Sequence, residues 1–140
     1  MLIAHFGIWA LLISIHDLRF RKIRRRDVYI AILSLIPWLH IQSIKVAIFN
    51  LAIYLILFVL SNGQMGFGDV RLSFLIGLYL GILNSNFKEV LVVNSLSWSV
   101  ASFVVLGRWL CRLPIGAVPF APFMFLSVVI SALIDTSDVI

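Results

Sequence analysis

Apolar residues run along this chain in six blocks, separated by short stretches that hold most of its charge. The blocks cover Leu2–His16, Val28–Ile41, Val46–Ser61, Val70–Leu83, Val90–Gly107 and Leu113–Ile134. They predict an all-α, polytopic membrane protein of about six transmembrane helices. Several blocks fall short of the ~20 residues that cross a hydrocarbon core, so their ends must extend into the flanks or sit in a thinned region. Pro37 interrupts the second block. Gly77 and Gly81, four residues apart in the fourth, mark a close helix-packing face. Pro114, Pro119 and Pro122 predict a kinked or delayed last helix, a break tolerated where neighbours or water satisfy the backbone.

Composition turns that pattern into a statement about solvent. Hydrophobic residues make up 62% of the 140 residues and charged residues only 12%, with a mean hydropathy of +1.11. One domain of this size, residues 1–140, cannot hide so much apolar surface in water, so the bilayer must be its solvent. The net charge of +5 does not point to nucleic acid. Six of the eleven basic residues lie between Arg19 and Arg26, a membrane-flanking cluster and a contact for anionic lipid heads. The single Cys111 excludes an internal disulfide and a C-x-x-C zinc site, and is expected to be a packing residue. Met1–Ile15 lacks the basic start and small-residue cleavage site of a signal peptide, so it is expected to stay as a helix.

Charge then orients the chain. With the N-terminus outside and six spans, the internal segments 17–27, 61–69 with Arg71, and 108–112 hold Arg19, Arg21, Lys22, Arg24, Arg25, Arg26, Arg71, Arg108 and Arg112. Lys45 and Lys88 remain outside. Nine against two is the bias of the positive-inside rule, and it leaves both termini extracytoplasmic. Asp17, Asp27 and Asp69 then face the cytoplasm, while Glu89, Asp135 and Asp138 lie outside.

Asp17 and Asp69 thus sit at helix boundaries on one side. Asp69 belongs to Gly66-Phe67-Gly68-Asp69-Val70-Arg71-Leu72, where two glycines permit a sharp turn and a close backbone approach to the carboxylate. Taken singly, Asp69 could merely N-cap a helix starting at Val70, and Asp17 could be a solvated loop residue paired with an arginine. A pair of carboxylates suits hydrolysis of a peptide without metal or nucleophile. One is ionised to take a proton from water, and one is protonated to polarise the carbonyl. The sequence offers little else: His5 and His40 fall on the other side, His16 reads as structural or solvated, and no Ser/His/Asp set or metal-ligand spacing is present. Trp9, Trp38, Trp98 and Trp109 read as interface anchors or packing residues.

Asp17-Leu18-Arg19-x-Arg21-x-Ile23, then Gly66 to Leu72, then Pro119-Phe120-Ala121-Pro122-Phe123 follow one another along the chain. These three motifs in this order resemble the type IV prepilin peptidases, polytopic aspartic peptidases of the G-x-G-D type. The resemblance covers nearly the whole chain and is to the short form, without the cysteine-bearing cytoplasmic insertion. It implies Asp17 and Asp69 as the catalytic pair, with Gly66, Gly68, Arg71, Pro119 and Pro122 serving substrate binding or loop geometry. It implies neither metal nor cofactor. The substrates would be prepilin or pseudopilin-like precursors, cut after a glycine at the cytoplasmic face of a prokaryotic plasma membrane. The chain departs from the family pattern in three places: Arg24-Arg25 follow Ile23 where Pro-Asn is usual, Arg71 replaces lysine, and Ala121 replaces glycine. Methylation of the new N-terminus, an activity of longer members, is not carried over.

Two other classes remain open at this level. A small transporter or proton-relay protein would use Asp17 and Asp69 to carry ions, although no acidic ladder leads to the other face. An inactive homologue could serve as an assembly scaffold.

Overall fold

The computed structural model describes residues 1–62, 65–83, 85–112 and 118–137. Among these, every regular element is helical: α1 (Leu2–Phe20), α2 (Arg25–Ser34), α3 (Ile41–Leu60), α4 (Phe67–Ile82), α5 (Phe87–Leu110) and α6 (Ala121–Ser137), with a 3-10 turn at Ile36–Trp38. Helices suit an apolar solvent because they satisfy all their backbone polar groups internally. α1, α3 and α5, with 19, 20 and 24 residues, are long and apolar enough to cross a membrane. They are about 28, 30 and 36 Å long at 1.5 Å per residue. Their outward faces are greasy, with Ile8, Leu11, Ile56, Val59 and Phe103 all exposed.

The second apolar block is corrected most. Its helix covers only Arg25–Ser34, about 15 Å, too short to cross alone. Pro37 disfavours α-helical geometry in the residue before it and supplies no amide hydrogen, so the chain tightens into the 3-10 turn. The last block is also shortened. α6 begins at Ala121, just past Pro119, and Pro114 lies outside the described residues. Cys111 is exposed at the end of α5, not packed, because that helix has left the core by then.

α4 is the axis of the bundle. Val70, Leu72, Ser73 and every residue from Leu75 to Gly81 are buried, the pattern of a helix enclosed on all sides. α2, α3 and α6 surround it, and α3 makes the most extensive contact. The glycine spacing explains why. A Cβ at Gly77 would lie 2.6 Å from the Ala47 Cα, and one at Gly81 would overlap the Ser43 backbone. Only glycine lets the two backbones come that near.

Buried amides and hydroxyls fix the register of this packing. Asn50 Nδ2 on α3 donates to the Ser73 carbonyl on α4 at 2.7 Å, and Asn94 Nδ2 on α5 donates to Asn50 Oδ1 at 2.8 Å. Ser97 and Ser127 join α5 to α6 through their hydroxyls. Such interhelical bonds contribute about 0.6 kcal/mol each in a membrane. At the far end from Asp69, Tyr79 Oη meets His5 Nδ1 at 2.7 Å. Trp9 Nε1 donates to His5 Nε2 at 3.2 Å, and Ser34 Oγ lies 2.6 Å from the same nitrogen.

Candidate active site

At the other end, the C-terminal ends of α1 and α3 meet the N-terminal ends of α2, α4 and α6. Between them opens a cavity of about 820 Å³, within the range of small-molecule and peptide sites. Asp17 and Asp69 both line it, together with Gly66, Gly68, Arg71, Ile23 and Phe120.

Asp17 is neither a loop residue nor solvated. α1 continues past it to Phe20, and it is only 5% exposed. The Ala121 N–H donates to its Oδ2 at 3.0 Å, and the Phe120 amide is within reach of the carboxylate. These amides open α6, so a side chain of the first helix caps the last one. The partial positive charge of a helix N-terminus favours an anion there.

The chain after Asp17 turns sharply. Arg21 takes the left-handed conformation, with φ 51°, and its N–H bonds the Asp17 carbonyl at 2.7 Å. A non-glycine residue pays about 1 kcal/mol for that geometry. His16 Nδ1, 2.8 Å from the Lys22 carbonyl oxygen, holds the turn from inside. The turn is therefore closed without the Pro-Asn pair.

Asp69 is not the N-cap of α4. Gly66 is the cap and the helix starts at Phe67, which puts Asp69 third in the first turn. From there the carboxylate is within reach of the Gly66 amide, the placement of the acidic member of a capping box. The two glycines have separate reasons to be there. A Cβ on Gly66 would stand 3.2 Å from Asp69 Oδ2, and a Cβ on Gly68 would stand 3.0 Å from the Ile23 Cβ. Gly66 leaves the carboxylate its place, and Gly68 lets the α1–α2 loop press against α4. Ser61 supports the approach, since its hydroxyl donates to the Phe58 carbonyl at 3.0 Å and accepts the Met65 amide at 3.3 Å.

The two aspartates are near enough for the charge of Asp17 to act on Asp69. Arg21, Lys22, Arg25 and Arg71 also line the cavity, and the Arg71 guanidinium lies 4.6 Å from the centre of the Phe67 ring. Pro119 and Pro122 do not line it. They flank the amides that cap Asp17, one just before α6 and one in its first turn. Among the described residues, no three His, Cys, Asp or Glu side chains gather as a metal site.

Three participants escape a reading of the sequence. Trp98, on α5, and Val118 line the cavity. Tyr54, on α3, lies behind the wall with its ring 6.1 Å from Trp98 and 6.4 Å from Phe120, centre to centre. An indole in the middle of an apolar block carries no signal that it faces a cavity.

All three sequence motifs thus converge here: Asp17 on the Phe120 and Ala121 amides, and Ile23 on Gly68. No curated protein and no solved structure matches the chain significantly. The model of the type IV leader peptidase family matches residues 4–136, nearly the whole sequence, and the chain belongs to that family.

Proposed function

We propose that the protein is a membrane aspartic endopeptidase that removes the leader of prepilin-like precursors at the cytoplasmic face of a prokaryotic plasma membrane. The observation that carries this is the shared cavity. Two carboxylates far apart in sequence face one space, each at a helix N-terminus, in a chain whose family consists of leader peptidases. The topology that goes with it is six passes with both termini outside, α2 and the 3-10 turn after it together making the second pass. It rests on the basic bias and on Arg21, Lys22, Arg25 and Arg71 gathering at the cavity.

The donors around each carboxylate suggest a division of labour. Asp17 faces two backbone amides and Asp69 one, and hydrogen bonds to the charged form favour it. Asp17 is then the ionised member and Asp69 holds the shared proton. Water attacks the scissile carbonyl carbon, Asp17 takes the water's proton, and the Asp69 proton passes to the carbonyl oxygen. When the tetrahedral intermediate collapses, the C–N bond breaks and the leaving nitrogen takes the proton from Asp17. One hydroxyl of the intermediate returns its proton to Asp69. Paired carboxylates titrate in two separated steps, so rate against pH is bell-shaped.

Ion transport is the weaker reading. Between the cavity and His5, the Asn50, Asn94 and Ser73 groups form closed hydrogen bonds among non-titratable partners.

Co-expression with a prepilin-like precursor tests the activity. The precursor should shift to the mobility of its cleaved form with the wild-type chain and stay full length with Asp17→Asn or Asp69→Asn. Processing by either variant would end the aspartic reading. Labelling tests the topology: in intact cells a membrane-impermeant thiol reagent should modify Gln42→Cys but not the native Cys111, and the reverse pattern would invert the protein.

A further inference from the structure

The largest fully buried side chain beside the cavity is Tyr54, at 0% exposure. Its hydroxyl oxygen is enclosed, yet no hydrogen bond of good geometry closes on it among the described residues. Buried hydroxyls are seldom left so. The Trp98 indole is within interaction range of it, but an indole N–H can only donate. The hydroxyl's own hydrogen still needs an acceptor. The register of α3 on α4 brings Tyr54 beside Asp69. Ser43 packs on Gly81 and Ala47 on Gly77, and Asn50 bonds Ser73. One turn further along the two antiparallel helices, Tyr54 comes level with Asp69, within its electrostatic reach. A carboxyl group can accept from a phenol while its own hydrogen points elsewhere.

Resting on the peptidase reading above, we infer that Tyr54 is a positioning residue for Asp69, its hydroxyl donating to one carboxyl oxygen through one bridging water. The other Asp69 oxygen, which carries the shared proton, is thereby turned towards the substrate carbonyl. Trp98 completes the relay by donating to the tyrosine oxygen, which keeps the phenolic hydrogen free for Asp69. Tyr54 does not touch the substrate. Its role is to select one of the two orientations open to a protonated carboxyl group, and packing on Trp98 and Phe120 holds it in place.

Tyr54→Phe separates this role from packing, because it keeps the ring and removes one oxygen. At equal amounts of folded protein in detergent, kcat for leader cleavage should fall about 10- to 100-fold, the scale of one hydrogen bond to a charged or reacting group. KM should change less than twofold, and the limb of the pH–rate profile belonging to the Asp69 proton should move. Wild-type kcat and an unchanged profile in Tyr54→Phe, with Asp69→Asn inactive, would overturn the Tyr54 role and leave the peptidase reading standing. Cleavage by Asp69→Asn would overturn the peptidase reading instead. Tyr54 is then decided by a readout that needs no substrate, the titration of the Asp69 carboxyl carbon by NMR. Its midpoint should rise in Tyr54→Phe if the hydroxyl bonds the carboxylate, and an unmoved midpoint would refute the contact.

Discussion

Tyr79 and Tyr54 are both enclosed by the helices, at 1% and 0% exposure, and their hydroxyls meet different surroundings. Tyr79 stands on α4 about 15 Å from Asp69, ten residues at 1.5 Å each. Its hydroxyl closes on His5, which Trp9 and Ser34 also hold. Tyr54 sits beside the cavity with its hydroxyl enclosed but without a partner. A polar cluster with every group paired fixes helices in register and has nothing left to offer a ligand. An incomplete set, beside two carboxylates and a space for substrate, is what chemistry requires. Ser43 Oγ at the Tyr79 end is likewise buried without a partner, so an unpaired hydroxyl alone does not set the ends apart. What sets Tyr54 apart is that its hydroxyl lies beside two carboxylates and a cavity.

The largest expected effect would break both ends together. Gly81→Ala pushes a methyl group into the Ser43 backbone, so α3 and α4 must separate. Overpacking of this kind costs about 1–3 kcal/mol, and thermal unfolding in detergent should show it along with a fall in active protein. Gly68→Ala strikes the cavity end alone. Its new Cβ, 3.0 Å from that of Ile23, displaces the α1–α2 loop. Cleavage should slow about tenfold, since small misplacements at a reacting centre are costly. Adding Ile23→Gly, which removes the Cβ it meets, should restore part of the rate. Tyr79→Phe strikes only the other end: about 1 kcal/mol of stability should be lost as His5 Nδ1 loses its partner, with cleavage per folded molecule unchanged. Arg71→Ala should have the smallest effect, a few-fold loss of rate. Arg71 packs on Phe67 at the cavity edge, where it touches neither carboxylate.

The helix number, the Gly77 and Gly81 contact and the meeting of Asp17 with Asp69 at one end were legible in the pattern of apolar blocks and charges. Those features follow from local periodicity and from which block ends share a side. The length of α2 was not, because an apolar run reads alike whether it spans or stops at Pro37. The position of Asp69 within the first turn, not before it, depends on where the backbone begins to coil, which Gly66-Phe67-Gly68 leaves open. The Ala121 amide on Asp17 and the enclosure of Tyr54 are tertiary facts. No spacing within α1, α3 or α6 encodes which helix will lie beside which.

The central claim is that Asp17 and Asp69 act as one unit, and purified protein tests it most directly. Initial rates of leader cleavage should be measured for wild type, Asp17→Asn, Asp69→Asn and the double variant, each shown to be folded. Residues that share a single step are grossly non-additive, so all three variants should fall to the same floor, the double no lower than either single. A substantial rate in either single variant, or a double variant slower by the product of two modest losses, would contradict the paired-carboxylate account.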